Sequence, residues 1–276
     1  MRILILLLFP LFSYSQLSIG ILESSRVKTD ADAQAFFNRV ITSGGSLTII
    51  EKTAVNQLVV DLKNIGVWTK IDAAYPMVGS SSAASAQNLK SSSFTLTFSG
   101  TWTFNSSGIV PNGSNTFANT GLTPSTTLTN TDIHISYYSK TNQNTTTVDM
   151  GCSISGSGPY IIMQLSTNNT LFAINQAGLY PIFVDTDSRA FYLATRSGTT
   201  VSAFRNGTKR DSKTSTAATN PTQPIYIGAW NNNGTASFYT LKVCAFSSIG
   251  KGLTDTEATN YYTAITTFQT TLSRQN

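Results

Sequence analysis

Residues 190–207 read AFYLATRSGTTVSAFRNG, and their pattern decides the fold. Two short runs, residues 190–197 and 200–207, are rich in aromatic and β-branched residues, which favour strands, and a glycine turn signal parts them. The second run ends in Asn206-Gly207, a pair that tolerates the positive φ angles of a tight hairpin turn. The same texture extends outward. FTLTFSG (94–100), SNTFANT (114–120), DIHISYYSK (132–140) and YIIMQLS (160–166) precede TLFAIN (170–175), IYIGAW (225–230) and ASFYTLKVCAF (236–246). Gly, Pro, Asn and Ser separate these runs. Many short strands with no helices between them predict a mainly β chain built as a sandwich or barrel.

The two ends depart from this texture. From Asp30 the period is helical: Asp30 or Asp32 caps a helix bearing Ala35, Phe36, Val40 and Ile41, which stops at Gly44-Gly45. Ser46 is expected to open a second helix with Val55, Leu58, Val59, Leu62 and Ile65 on one face, ended by Gly66. Trp68 and Ile71 would pack back on this hairpin. At the other end Thr254 and Glu257 form a capping box, and Tyr261, Ile265, Phe268 and Leu272 line one face of a terminal helix.

Composition narrows the class. The chain has 276 residues, 40% hydrophobic, 11% aromatic and only 11% charged, whereas soluble proteins average about 25% charged. Its 34 Ser, 41 Thr and 21 Asn supply polarity through hydroxyls and amides instead. The aromatics supply a core, which excludes a disordered chain, and the low charge excludes a coiled coil. Residues 1–15, MRILILLLFPLFSYS, have the layout of a secretory signal peptide, with Arg2 before a short apolar run. That run is shorter than the roughly 20 residues a membrane span requires. No later stretch is apolar enough to cross a membrane, and the mature chain is expected to be secreted or displayed at the cell surface. The expected division is leader 1–15, helical lead-in 16–78 and sandwich 79–276. The bases are scattered, with Arg205, Lys209, Arg210 and Lys213 mixed with Asp211, so a nucleic-acid partner is not expected. For an exported chain, Cys152 and Cys244 leave two alternatives, a disulfide across the sandwich or two buried thiols.

The order of motifs resembles a known family. GIVPNGSNTFANTGLTPSTTLTNTDIHISYYSKT, TTVSAFRNGTKRDSKT, QPIYIGAWNNN and SFYTLKVCAFSSIGKGLTDTEATNYY occur in the order of a laminin-G-like, concanavalin A-like jelly roll. The likeness spans about residues 92–272 and is similar to domains of bacterial surface and phage structural proteins. It implies a two-sheet antiparallel jelly-roll sandwich, a hairpin turning at Asn206-Gly207, and a last strand followed by a helix opening at Leu253-Thr254-Asp255. That fold hosts lectins, adhesins, hydrolases and lyases alike, so function must be argued from the site.

Catalysis finds little material. Glycoside hydrolysis needs two carboxyl groups flanking the bond, and the three glutamates are Glu23 and Glu51, ahead of the sandwich, and Glu257, which suits a helix cap. Asp185 and Asp187 are two apart but at an expected turn, where they suit turn formation or a calcium ion better than acid/base work. His134 is the only histidine. It alternates with Ile133 and Ile135, and the motifs that accompany such a histidine in the sandwich lyases are missing. A lyase is therefore a minor rival to a hydrogen-bonded structural His134. Binding remains. Trp230-Asn231-Asn232-Asn233-Gly234 puts an aromatic ring and amides in one loop, with Tyr137, Tyr138 and Tyr160 as a second aromatic surface, against the plainer reading of an edge seal and a turn. The expectation is a non-catalytic module binding a glycan or a surface protein, with no cofactor apart from the calcium candidate. A structural unit of a surface assembly or phage fibre, attached through the helical hairpin as a homo-oligomer, is the alternative.

Overall fold

The computed structural model describes residues 28–163 and 168–276. The expected leader, the start of the lead-in at 16–27 and the end of the expected strand 160–166, at 164–166, lie outside the described residues.

Helix α1 (Ala31–Thr42) is capped by Asp30, whose side chain accepts the Asp32 N–H at 2.9 Å and also pairs with Lys63. Helix α2 (Ile49–Asn64) starts at a Thr48–Glu51 capping box, two residues later than Ser46, because only Thr48 has a glutamate three residues on. Single turns α3 (Ser82–Ser85) and α4 (Pro124–Thr127) follow, and α5 (Asp255–Thr271) opens on the expected Thr254–Glu257 box.

Seventeen strands are present among the described residues. One sheet, A, contains β1 (Ile71–Tyr75), β3 (Thr103–Asn105), β4 (Gly108–Val110), β6 (Asp132–Ser139), β11 (Phe191–Ser197), β12 (Thr200–Arg205), β13 (Thr208–Thr214) and β17 (Cys244–Gly250). The other, B, contains β2 (Thr97–Ser99), β5 (Phe117–Asn119), β7 (Met150–Ser153), β8 (Pro159–Ile162), β9 (Asn169–Ile174), β10 (Ile182–Val184), β14 (Tyr226–Ile227), β15 (Trp230–Asn232) and β16 (Thr235–Ser237). Sheet A runs β13-β12-β11-β6-β17-β4-β3 with β1 along β17, and sheet B runs β10-β9-β8-β7-β14-β5-β2 with the β15–β16 hairpin on β7. The pairs are antiparallel except β15 on β7.

Alternation along each strand builds the inter-sheet core. Ile133, Ile135, Tyr137, Tyr192, Ala194 and Val201 from sheet A meet Met150, Cys152, Ile161, Phe172, Ile174 and Ile227 from sheet B. The opposite face of sheet A is also covered. Phe191, Leu193, Phe204 and Phe246 pack under Phe36, Val55, Leu58, Leu62, Tyr261, Ile265 and Phe268 of α1, α2 and α5. A sheet covered on both sides loses its polar alternation, which is why β6 and β17 are buried almost throughout. The architecture among the described residues is therefore helices on sheet A on sheet B, with no described element packed on the outer face of sheet B.

The lead-in is built into this arrangement. β1, from before residue 79, pairs along β17 from Ile71 opposite Gly250 to Tyr75 opposite Ser247. The run 236–246, expected as one strand, is two: Phe238 takes a φ of 53°, which ends β16 and delays β17 to Cys244. Cys152 and Cys244 come from opposite sheets, and both are free thiols buried in the inter-sheet core. The disulfide alternative is not formed, and burial pushes both thiols up.

Candidate functional site

On the outer face of sheet B, β8 turns Tyr160 outward and Ile161 inward, β9 turns Leu171 and Ala173 outward, and β15 turns Trp230 outward. Tyr160 and Trp230 both stand opposite Gly151 of β7. A Cβ on Gly151 would lie 2.3 Å from the Tyr160 Cβ and 2.6 Å from the Pro159 carbonyl, so a glycine, at φ 152°, lets β8 approach. Four rings follow one another across the strands. Tyr180 and Tyr160 are 6.4 Å apart between centroids, Tyr160 and Trp230 5.5 Å, and Trp230 and Phe238 5.7 Å, with interplanar angles of 40°, 52° and 56°. Tyr160 lies deepest, at 9% exposure, on a floor of Val148, Ala173, Ile162 and Leu171. Trp230 and Tyr180 are half-buried, and Phe238 is 49% exposed. The buried Trp230 Nε1–H and the hydroxyl of Ser237, its register partner, have no hydrogen-bond partner among the described residues.

The hairpin that carries Trp230 is held by its asparagines. Asn231 is fully buried, its Nδ2 donating to the Pro224 carbonyl at 2.8 Å and its Oδ1 accepting the Gly234 N–H at 3.0 Å. Asn233 and Gly234 take φ of 53° and 91°, as a primed two-residue turn requires. The expected loop is thus a β-hairpin. Asn231 and Asn233 shape it, while half-buried Asn232 flanks the outer face opposite Ser153.

Of the expected site residues the structure brings Trp230, Asn232 and Tyr160 together. Tyr137 is a correction: it is fully buried between the sheets, its hydroxyl donating to the Lys242 carbonyl at 2.6 Å, because odd positions of β6 face the inner core. Tyr138 faces the helical layer instead, and its hydroxyl accepts the Asn276 N–H. Tyr180 and Phe238 were not legible as site residues, since one precedes a proline in a connection and the other sits at a left-handed break.

Asp185 and Asp187, the calcium candidates, are already matched by cations. Asp185 accepts from Arg205 at 2.8 Å and from the Tyr192 hydroxyl, and Asp187 receives Arg189 in a two-pronged pair that lowers its carboxyl. A metal there would have to displace guanidinium groups, and no cluster of three ligating side chains occurs among the described residues.

His134 is fully buried between β6 and α5. Its Nδ1–H donates to the Lys251 carbonyl, its Nε2 accepts from the Ser248 hydroxyl at 3.2 Å, and Ser248 in turn accepts from Tyr261 at 2.8 Å. Burial pulls the imidazole down to about 4 from 6.5. Its neutral form is therefore preferred in the folded chain, and the stability it confers is whole above pH 6.5. That stability falls as acid protonates the unfolded state between 6.5 and about 4. The expected loss is up to about 3 kcal/mol over that window. Urea unfolding against pH checks it: the difference between wild type and His134→Asn should shrink from pH 7 to pH 4.

Concavities on the helical side are engaged differently. One of about 420 Å³ lies beside Ser46, Glu51, Gly79 and Arg274. There Glu51 accepts the Thr48 and Gly79 N–H groups, and Arg274 donates to the carbonyls of Pro76, Met77 and Ala245. These polar groups serve the fold.

No family model matches the chain, and no curated protein does. Solved structures do. Domain 4 of AbnA, a GH43 extracellular arabinanase from Geobacillus stearothermophilus, in complex with arabinotriose, aligns with 70% of this chain and 98% of its own length. Its TM-score is 0.50 at 17% identity. The receptor binding domain of botulinum neurotoxin C/D mosaic serotype aligns with 71% of this chain at a TM-score of 0.51 and 11% identity. This chain spans about half the length of that toxin domain, 51%. At such identities the likeness establishes a shared β-sandwich and nothing finer. No described helix is long and apolar enough to cross a membrane.

Proposed function

We propose that this chain is an exported, non-catalytic carbohydrate-binding module whose binding surface is the outer face of sheet B. The row Tyr180–Tyr160–Trp230–Phe238 carries the reading. Aromatic faces take the apolar side of a sugar ring, and the flanking Asn232 amide suits its hydroxyls. Similarity to an arabinanase domain held with arabinotriose and to a toxin receptor binding domain supports a binding role. A non-catalytic role is supported by the engagement of its titratable groups: Glu51 and Glu257 cap helices, Asp185 and Asp187 hold arginines, and His134 is neutral and buried. The structural-unit alternative has less support, because α1 and α2 lie packed on sheet A and do not stand free as an arm.

A glycan array with wild type, Trp230→Ala and Phe238→Ser tests this. Phe238 is half exposed, so its replacement leaves the core intact. Both variants should lose about tenfold or more in affinity for whichever glycans the wild type binds, as truncation of an interface anchor does. Unchanged binding by both would place recognition elsewhere.

A further inference from the structure

The charges of this protein are segregated. The nine described strands of sheet B contain no Asp, Glu, Lys or Arg. Residues 91–131, 141–184 and 215–241, which supply that sheet, its connections and the two edge strands β3 and β4 of sheet A, hold one charged residue, Asp149, fully buried against Lys242. Among the described residues, charge meets this sheet at the β10 border, where Asp211 of β13 accepts the Ile182 N–H and Arg210 lies over the Phe183 ring, and at the end of β9, where the fully buried Arg196 of β11 donates to the Ile174 carbonyl. The other ionic groups among the described residues lie on sheet A, the helices and their connections.

Resting on the carbohydrate-binding reading, we infer that this face takes a single chain of a neutral polysaccharide laid across the strands. A uronate or sulfated polymer would find no cation on the face to balance its charge. The bases beyond its border act through water, where screening confines them to about 10 Å at ordinary salt. Desolvating an unpaired carboxylate against four aromatic rings would oppose binding. A neutral chain brings no such penalty, and the half-buried Asn232 amide offers its hydroxyl groups a donor and an acceptor. The ring spacings of 5.5–6.4 Å are comparable with one sugar unit per ring. The tilts of 40–56° between successive rings exclude a flat wall, so the row fits a twisting, hydrated chain and not the planar surface of a crystalline polymer.

Isothermal titration of the full chain tests this. Hydroxyethylcellulose, galactomannan and linear arabinan serve as neutral probes, polygalacturonate and alginate as acidic ones, and a sedimentation assay on microcrystalline cellulose as the crystalline one. The expected result is binding to at least one neutral soluble polymer. Its affinity should change by less than about twofold as sodium chloride rises from about 0.01 to about 1 M, which shortens the screening length from about 30 to about 3 Å. Trp230→Ala and Phe238→Ser should weaken it about tenfold. Preference for an acidic polymer, lost with salt yet still sensitive to Phe238→Ser, would overturn the neutral-chain inference and leave the binding face standing. So would retention on crystalline cellulose alone. Neutral-polymer binding insensitive to both variants, or no binding to any probe, would overturn the face itself.

Discussion

Lys242→Met is expected to lower the unfolding free energy by about 3–5 kcal/mol, because it leaves a buried carboxylate without its cation. Lys242 and Asp149 are both fully buried, with Nζ 3.2 Å from Oδ1. Asp149 also accepts the Thr240 hydroxyl at 2.6 Å and the Met163 N–H at 2.7 Å. Thr240 in turn donates its N–H to the Gly228 carbonyl, and Gly228 donates to the Asp149 carbonyl. The pair therefore pins the segment that runs from Gly228 through Trp230 and Phe238 to Thr240. Its loss should loosen the aromatic row as well as the core. The double variant Lys242→Met with Asp149→Leu should recover only part of the deficit, since Thr240 and Met163 are then left without an acceptor. Urea denaturation of the three proteins measures it, and a single variant within about 1 kcal/mol of wild type would refute the role given to the pair.

Gly151→Ala should cost about 3 kcal/mol or more and remove glycan binding with it. The added Cβ meets the Tyr160 Cβ and the Pro159 carbonyl at distances real atoms do not adopt, and backbone cannot swing aside as a flexible side-chain tip does. Overpacking and an unfavourable φ of 152° act together. The cheapest relief is to push β8 away from β7, which separates Tyr160 from Trp230. A Gly151→Ala protein of wild-type melting temperature would contradict the close approach on which the site is built.

Much of the fold was legible because its signals are local. Period-two runs, the Asn206-Gly207 turn and the Thr254–Glu257 capping box each depend on neighbours in sequence; the turn and the box appear where expected, while several runs, 236–246 among them, are shortened or split. The helices covering sheet A were partly legible, as an amphipathic hairpin and a terminal helix, but their place over β6 and β17 depends on contacts distant in sequence. That cover decides which tyrosines are available. Tyr137 and Tyr138 look like surface aromatics in the run 132–140, yet one lies between the sheets and the other beneath α5 and the C-terminal residues. Alternation assigns residues to two faces without saying which face meets water. Phe238 was hidden for another reason: a left-handed φ at a phenylalanine has no residue signature. The charge-free segments behind sheet B, by contrast, stand openly in the sequence, and their meaning emerged only once the topology placed them in one sheet.

The most direct test of a binding face on sheet B is a backbone and indole NMR titration of the intact chain with a bound soluble glycan. The Trp230 Nε1–H resonance and the amides of Tyr160, Asn232 and Phe238 should move together, while those of His134, Asp187 and α5 stay in place. Shifts confined to the helical side, or a Trp230 indole resonance that does not respond at saturation, would contradict the account.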